Sequence, residues 1–147
     1  MKTPAALLIS AGLALTAASA FAKSGWVEDY EKALATAKAE KKMVLIDFTG
    51  SDWCSWCIKL DKEVFSKPKF KEYAKEKFVL VEIDFPQTKR LSKPKQAAHD
   101  ALAKKYSVEG FPTVIVLDSE GKEIGKLGYV EGGPEAFIAE LEKLKAS

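Results

Sequence analysis

Cys54 and Cys57 are the only cysteines of this 147-residue chain, and they stand three positions apart in Trp53-Cys54-Ser55-Trp56-Cys57. On a helix opening near Cys54, positions i and i+3 lie side by side, close enough for a disulfide, with the first sulfur exposed and the second buried. A helix N-terminus supplies unpaired N–H groups and the positive end of the dipole. Both draw a thiol from a pKa of ~8.5 toward ~7 or lower, and the thiolate is the attacking species. Such a pair suits thiol–disulfide exchange, in which Cys54 attacks and Cys57 resolves.

Other uses of two cysteines fit less well. A structural zinc site takes four ligands, and beyond the two thiols the chain offers a single histidine, His99. No metal is expected. Covalent haem attachment needs histidine directly after the second cysteine, where Ile58 stands, and no other cofactor is implied. A bridge closing a four-residue loop stabilises little, whereas small exported domains rely on several bridges between distant segments. His99 falls on the flank of a predicted helix, far along the chain from the pair, and reads as a solvated or capping residue.

The compartment is legible at the N-terminus. Residues 1–22 read as a signal peptide: Lys2 supplies the positive start, Ala5 to Ala17 the apolar run, and Ala20-Phe21-Ala22 a small-x-small cleavage site before Lys23. The other reading is an uncleaved anchor, since the stretch from Pro4 to Ala22 is about long enough to span a bilayer, but an alanine-rich run ending in Ala-x-Ala favours cleavage. A periplasmic or otherwise exported protein is expected, with residues 23–147 as one domain. Cleavage removes one lysine and no acid, lowering the formal net charge from +2 by one. With lysines and acids interspersed, neither nucleic acid nor an anionic surface is expected as partner.

The elements that must position the cysteines follow from periodicity. Trp26, Tyr30, Leu34 and Ala37 predict a first helix to about Lys41, with Glu28 and Asp29 in its first turn. Met43 to Phe48 predicts a central strand, apolar except for Asp47. A helix should open around Cys54 and run through Ile58, Leu60, Val64 and Phe65, with Ser66 and Pro68 starting another. Val79 to Phe85 predicts a second strand with Glu82 and Asp84 on one side, and Pro86 to Lys95 an exposed loop. Ala98, Leu102 and Tyr106 mark a helix. A strand from Pro112 to Asp118 turns through Gly121 into another from Glu123 to Tyr129, and Gly132-Gly133-Pro134 opens a last helix burying Phe137, Ile138, Leu141 and Leu144. Strands separated by helices with a closing antiparallel pair make an α/β three-layer sandwich around a mixed β-sheet.

Trp53-Cys54-Ser55-Trp56-Cys57 after an apolar strand, together with Gly110-Phe111-Pro112-Thr113 before another, resembles the thioredoxin superfamily over nearly all of the chain after residue 22. Within it the chain is similar to exported thioredoxin-like proteins and to the C-terminal domain of the membrane disulfide-interchange reductase, which share the turn seen here as Phe65-Ser66-Lys67-Pro68. The resemblance implies a thioredoxin-like fold and a thiol–disulfide oxidoreductase with Cys54 and Cys57 as its redox-active disulfide. It also implies disulfide-containing or thiol proteins as partners, and a membrane redox partner supplying electrons to a monomer. Disulfide oxidation or isomerisation, and a thiol-dependent binding or maturation module without turnover, are the alternatives.

The supporting residues divide in the same way. Pro112 resembles the family's cis-proline, which implies that Phe111 offers its backbone to an extended substrate chain. A carboxylate inside an apolar strand costs several kcal/mol if ionised without a partner, so the pKa of Asp47 should be raised. The resemblance implies that Asp47 relays a proton to Cys57; the other reading is a strand-end aspartate bonded to loop N–H groups. Leu80 stands where the family often has a strand lysine beside this acid, and one residue more than in ordinary thioredoxins separates Asp47 from Cys54. Trp53 and Trp56 could cover the sulfurs and grip a peptide, and core packing explains Trp53 about as well.

Overall fold

A computed structural model describes residues 23–147, and the expected signal peptide lies outside the described residues. The central strand β2 (Met43–Thr49) pairs in parallel with β3 (Phe78–Asp84), and β3 in parallel with a two-residue strand, β1 (Trp26–Val27). On its other side β2 pairs antiparallel with β4 (Thr113–Leu117), which continues antiparallel into β5 (Glu123–Leu127). The sheet order is β1-β3-β2-β4-β5.

Alternation along β2 builds the two sides of the core. Val44, Ile46 and Phe48 point to one face, where they meet Tyr30, Ala33 and Ala37 of α1 (Tyr30–Glu40) and Tyr106 at the end of α4 (Lys93–Lys105). Leu45 points to the other, against Leu60 of α2 (Ser55–Leu60), Phe70 of α3 (Pro68–Lys77) and Phe137 of α5 (Gly133–Ala146). Each fully buried side chain of this size stabilises by roughly 1.5–3 kcal/mol. Asp47 shares the face of Leu45, because two residues along a strand return to the same side.

Several boundaries differ from the sequence reading. Trp26 belongs to β1 and not to the first helix, which begins after Asp29, whose carboxylate caps it by accepting from the Lys32 N–H at 3.0 Å. The helix after Cys54 passes from α2 into a π-helical turn (Asp61–Phe65) before Ser66 ends it. The loop after β3 is shorter than expected, since Ser92 caps α4 and Pro94 sits in its first turn. The buried face of α4 runs through His99 and Tyr106, while Ala98 is exposed. His99 is therefore neither solvated nor a cap. Its Nδ1–H donates to the Asp84 carbonyl at 2.8 Å, which satisfies the ring inside the core.

Candidate active site

Because β2 and β4 are antiparallel, with Phe48 opposite Thr113, the end of β2 and the start of β4 meet at one end of the sheet. The chain leaves β2 through residues 50–53 and enters α2 there. This connection is tied down at each step. The Ser51 N–H and hydroxyl donate to the Asp84 carboxylate at 2.9 and 2.5 Å. The Gln87 and Thr88 N–H groups donate to Asp52 at 3.0 and 2.9 Å, and with the Thr88 hydroxyl, whose bond contributes most, they hold its carboxyl down at about 2. The Trp53 indole Nε1–H donates to the Phe85 carbonyl at 2.8 Å. Gly50 is required by this packing, since a Cβ there would lie 2.4 Å from the Trp53 ring.

Cys54 occupies the N-cap of α2 in an extended conformation, and its Sγ accepts the Cys57 N–H at 3.2 Å. The two cysteines are joined in a disulfide with Cα atoms 5.2 Å apart, within the usual span. The expected contrast in exposure is small in this oxidised state: Cys54 is 7% exposed and Cys57 4%.

Aromatic side chains frame the pair. Trp53 and Trp56 are 41% and 53% exposed. The Trp53 ring lies edge-on to Phe111 at 5.9 Å, and Phe111 packs on Phe85 at 5.1 Å, which sets the Phe111–Pro112 segment beside the motif. The Phe111–Pro112 peptide bond is cis. On the other flank Trp56 packs on Tyr129 at 5.0 Å, with Lys59 Nζ over both rings, and the Tyr129 hydroxyl donates to Glu63 of the π-helical turn. Tyr129 and Glu63 were not singled out from sequence.

Asp47 is 3% exposed, and its Oδ1 has no hydrogen-bond partner. The loop N–H groups that could have capped a strand-end aspartate go to Asp84 and Asp52 instead, which overturns that reading of Asp47. Its carboxyl is pushed up to about 7, chiefly by burial, with Lys23 opposing the rise and Glu82, Asp61 and Asp84 adding to it. Opposite Asp47 in the sheet stands Glu82, while Leu80 is opposite Leu45 in the core. The cation comes from outside the sheet. Lys23 Nζ lies 3.7 Å from Asp47, 3.2 Å from Glu82 and 3.0 Å from Asp61. A cleft of about 460 Å³ is lined by Lys23, Asp47, Cys57, Asp61, Glu82 and Asp84 among others, so the buried acid and the second cysteine face one space.

A thioredoxin-like domain model matches residues 30–145. The chain belongs to the thioredoxin-like domain family. Across 78% of its length it is 35% identical to the disulfide bond reductase DsbH of Chlamydia pneumoniae, covering 69% of that protein. A solved structure of a DsbH oxidoreductase superposes with a TM-score of 0.76 at 34% identity, over 81% of this chain and 82% of that one. The thiol:disulfide interchange protein DsbD of Cronobacter sakazakii is 36% identical over 80% of the chain, which spans only 18% of the DsbD length. The reduced C-terminal domain of Neisseria meningitidis DsbD superposes with a TM-score of 0.58 at 27% identity, over 77% of this chain and 91% of that domain. This member of the thioredoxin-like family is a thiol–disulfide oxidoreductase of the Dsb type.

Proposed function

We propose that the chain is exported after loss of residues 1–22 and acts as a monomeric reductase of protein disulfides. The observation that carries the direction is the setting of Cys54, whose sulfur meets a backbone N–H at the helix end and is separated from Cys57 by the uncharged Ser55 and Trp56. A dithiol is strongly oxidising when its reduced, thiolate form is heavily stabilised. One capping N–H without an added cation supports a reducing or intermediate potential. Similarity to a disulfide bond reductase points the same way.

The reaction starts from the reduced enzyme. The Cys54 thiolate attacks one sulfur of a substrate disulfide, forming a mixed disulfide and releasing the first substrate thiolate, which takes a proton from water. Asp47, whose carboxyl burial holds well above the usual carboxylate range, accepts the Cys57 proton through the shared cleft. The Cys57 thiolate attacks Cys54 Sγ, the second substrate thiolate leaves and takes the proton that Asp47 had accepted, and the enzyme disulfide forms. The substrate has gained two electrons and two protons. A membrane redox partner with its own dithiol returns the two electrons by the reverse exchange.

Phe111 precedes Pro112 outside the β4 ladder, which leaves its backbone free to pair with an extended substrate segment. Trp53 and Trp56 flank that line as apolar contacts for residues around the substrate cysteine.

The test is the Cys57→Ser variant, which removes the resolving thiol and leaves the attacking one. Expressed in cells, it should accumulate covalent complexes that release protein thiols on reduction. A variant that accumulates none, while folded, contradicts turnover and favours a binding module.

A further inference from the structure

Lys23 lies within 4.0 Å of three carboxylates that come from three different elements: Asp47 of β2, Glu82 of β3 and Asp61 of the π-helical turn. Its Nζ also sits 4.0 Å over the Trp26 ring and 4.9 Å from the Phe65 ring, so aromatic faces form the floor beneath the ammonium. Lys23 is the cation within 4.0 Å of Asp47 among the described residues, and it lines the cleft that holds Cys57.

We propose that Lys23 is a positioning residue for the resolving step: its ammonium locks the acid cluster over the cleft and holds Asp47 as the group that accepts the Cys57 proton. The proposal rests on the reading that Asp47 is that acceptor.

Asp47, Asp61 and Glu82 surround a common space, and like charges in a half-buried cleft repel strongly. Asp84, also facing the cleft, is held by Ser51, and Glu28 at its rim is engaged by Lys95 at 2.8 Å. Lys89, the other basic residue of the lining, makes no ion pair with Asp47 among the described residues. Without the Lys23 side-chain ammonium, ionising Asp47 would add a negative charge beside two others with no side-chain cation within 4.0 Å of it among the described residues. Burial lowers the affinity of Lys23 for its own proton, but Asp47, Glu82 and Asp61 together more than restore it, so the ammonium persists across the working range. The π-helical turn belongs to this device, since Asp61 is its first residue and accepts from Lys23 at 3.0 Å.

The experiment uses the reduced protein and an aryl disulfide that releases a coloured thiolate. Attack by Cys54 releases the first equivalent and resolution by Cys57 the second, so stopped-flow absorbance separates the two steps. In Lys23→Met the pH midpoint of the second phase should move up by about one unit, which near pH 7 slows resolution about five-fold. The first phase should be unchanged, and Lys23→Arg should bring the midpoint back. A second-phase profile of Lys23→Met that superposes on the unmodified protein overturns the proposal. Asp47→Asn separates the two readings: if it leaves the second phase unchanged, the Asp47 relay itself fails. If Asp47→Asn slows that phase while Lys23→Met does not shift it, only the role of Lys23 falls.

Discussion

Asp47 concentrates the physical tension of the site in one side chain. Its raised carboxyl pKa means that the folded state binds a proton the unfolded chain gives up between pH about 3.8 and 7. Over that interval the native state holds more protons, so the stability Asp47 contributes is complete below the lower value and is lost as pH rises through the upper one. Asp47→Asn keeps the shape and removes the titration. In denaturant melts of the oxidised protein, the variant should gain little at pH 4 and progressively more toward pH 8, with an upper bound on the order of 4 kcal/mol. A gain that is flat with pH would show that Asp47 titrates normally. An acid in an apolar strand is visible as a pattern, and so was the direction of its shift. Its cation was not visible, because Lys23 is 24 residues distant and three of its partners converge only after β1 has joined the sheet edge.

At the scale of elements, β1 is the piece that periodicity missed. Trp26 and Tyr30 are spaced like helix neighbours, and a two-residue strand is too short to announce itself by alternation. Yet β1 seats Trp26, 6% exposed, against Phe65 at 5.0 Å, and so holds the segment that carries Lys23. Trp26→Ala should cost about 3–5 kcal/mol, read by urea unfolding, and a loss below 1 kcal/mol would mean that the strand is an ornament of the fold. The π-helical turn was also beyond the sequence reading, since Ile58, Leu60, Val64 and Phe65 fit one continuous α-helix almost as well. From this turn Asp61 faces the cleft, where it meets Lys23, and Glu63 meets Tyr129. The central strands β2, β3 and β4, the opening of α2 at Cys54 and the final helix were legible because apolar runs and helix-start residues mark them.

For the whole molecule, the sheet order gathers at one end what lies far apart in the chain: the end of β2, the cis peptide before β4, the start of α2 and the residues beside β1. The cysteine motif and the proline could be read as a pair because both have fixed residue types. The acid cluster could not, since Asp61, Glu82 and Lys23 are ordinary surface residues until the fold brings them together. The proposed reducing direction rests on the absence of a charged residue between Cys54 and Cys57, joined to a helix end that supplies one N–H. The reduction potential of the Cys54–Cys57 couple tests that directly. Equilibrated against a glutathione or dithiothreitol series and read by Trp fluorescence, it should fall at or below about −200 mV, whereas a value near −120 mV, that of a strong oxidant, would contradict the assignment as a reductase.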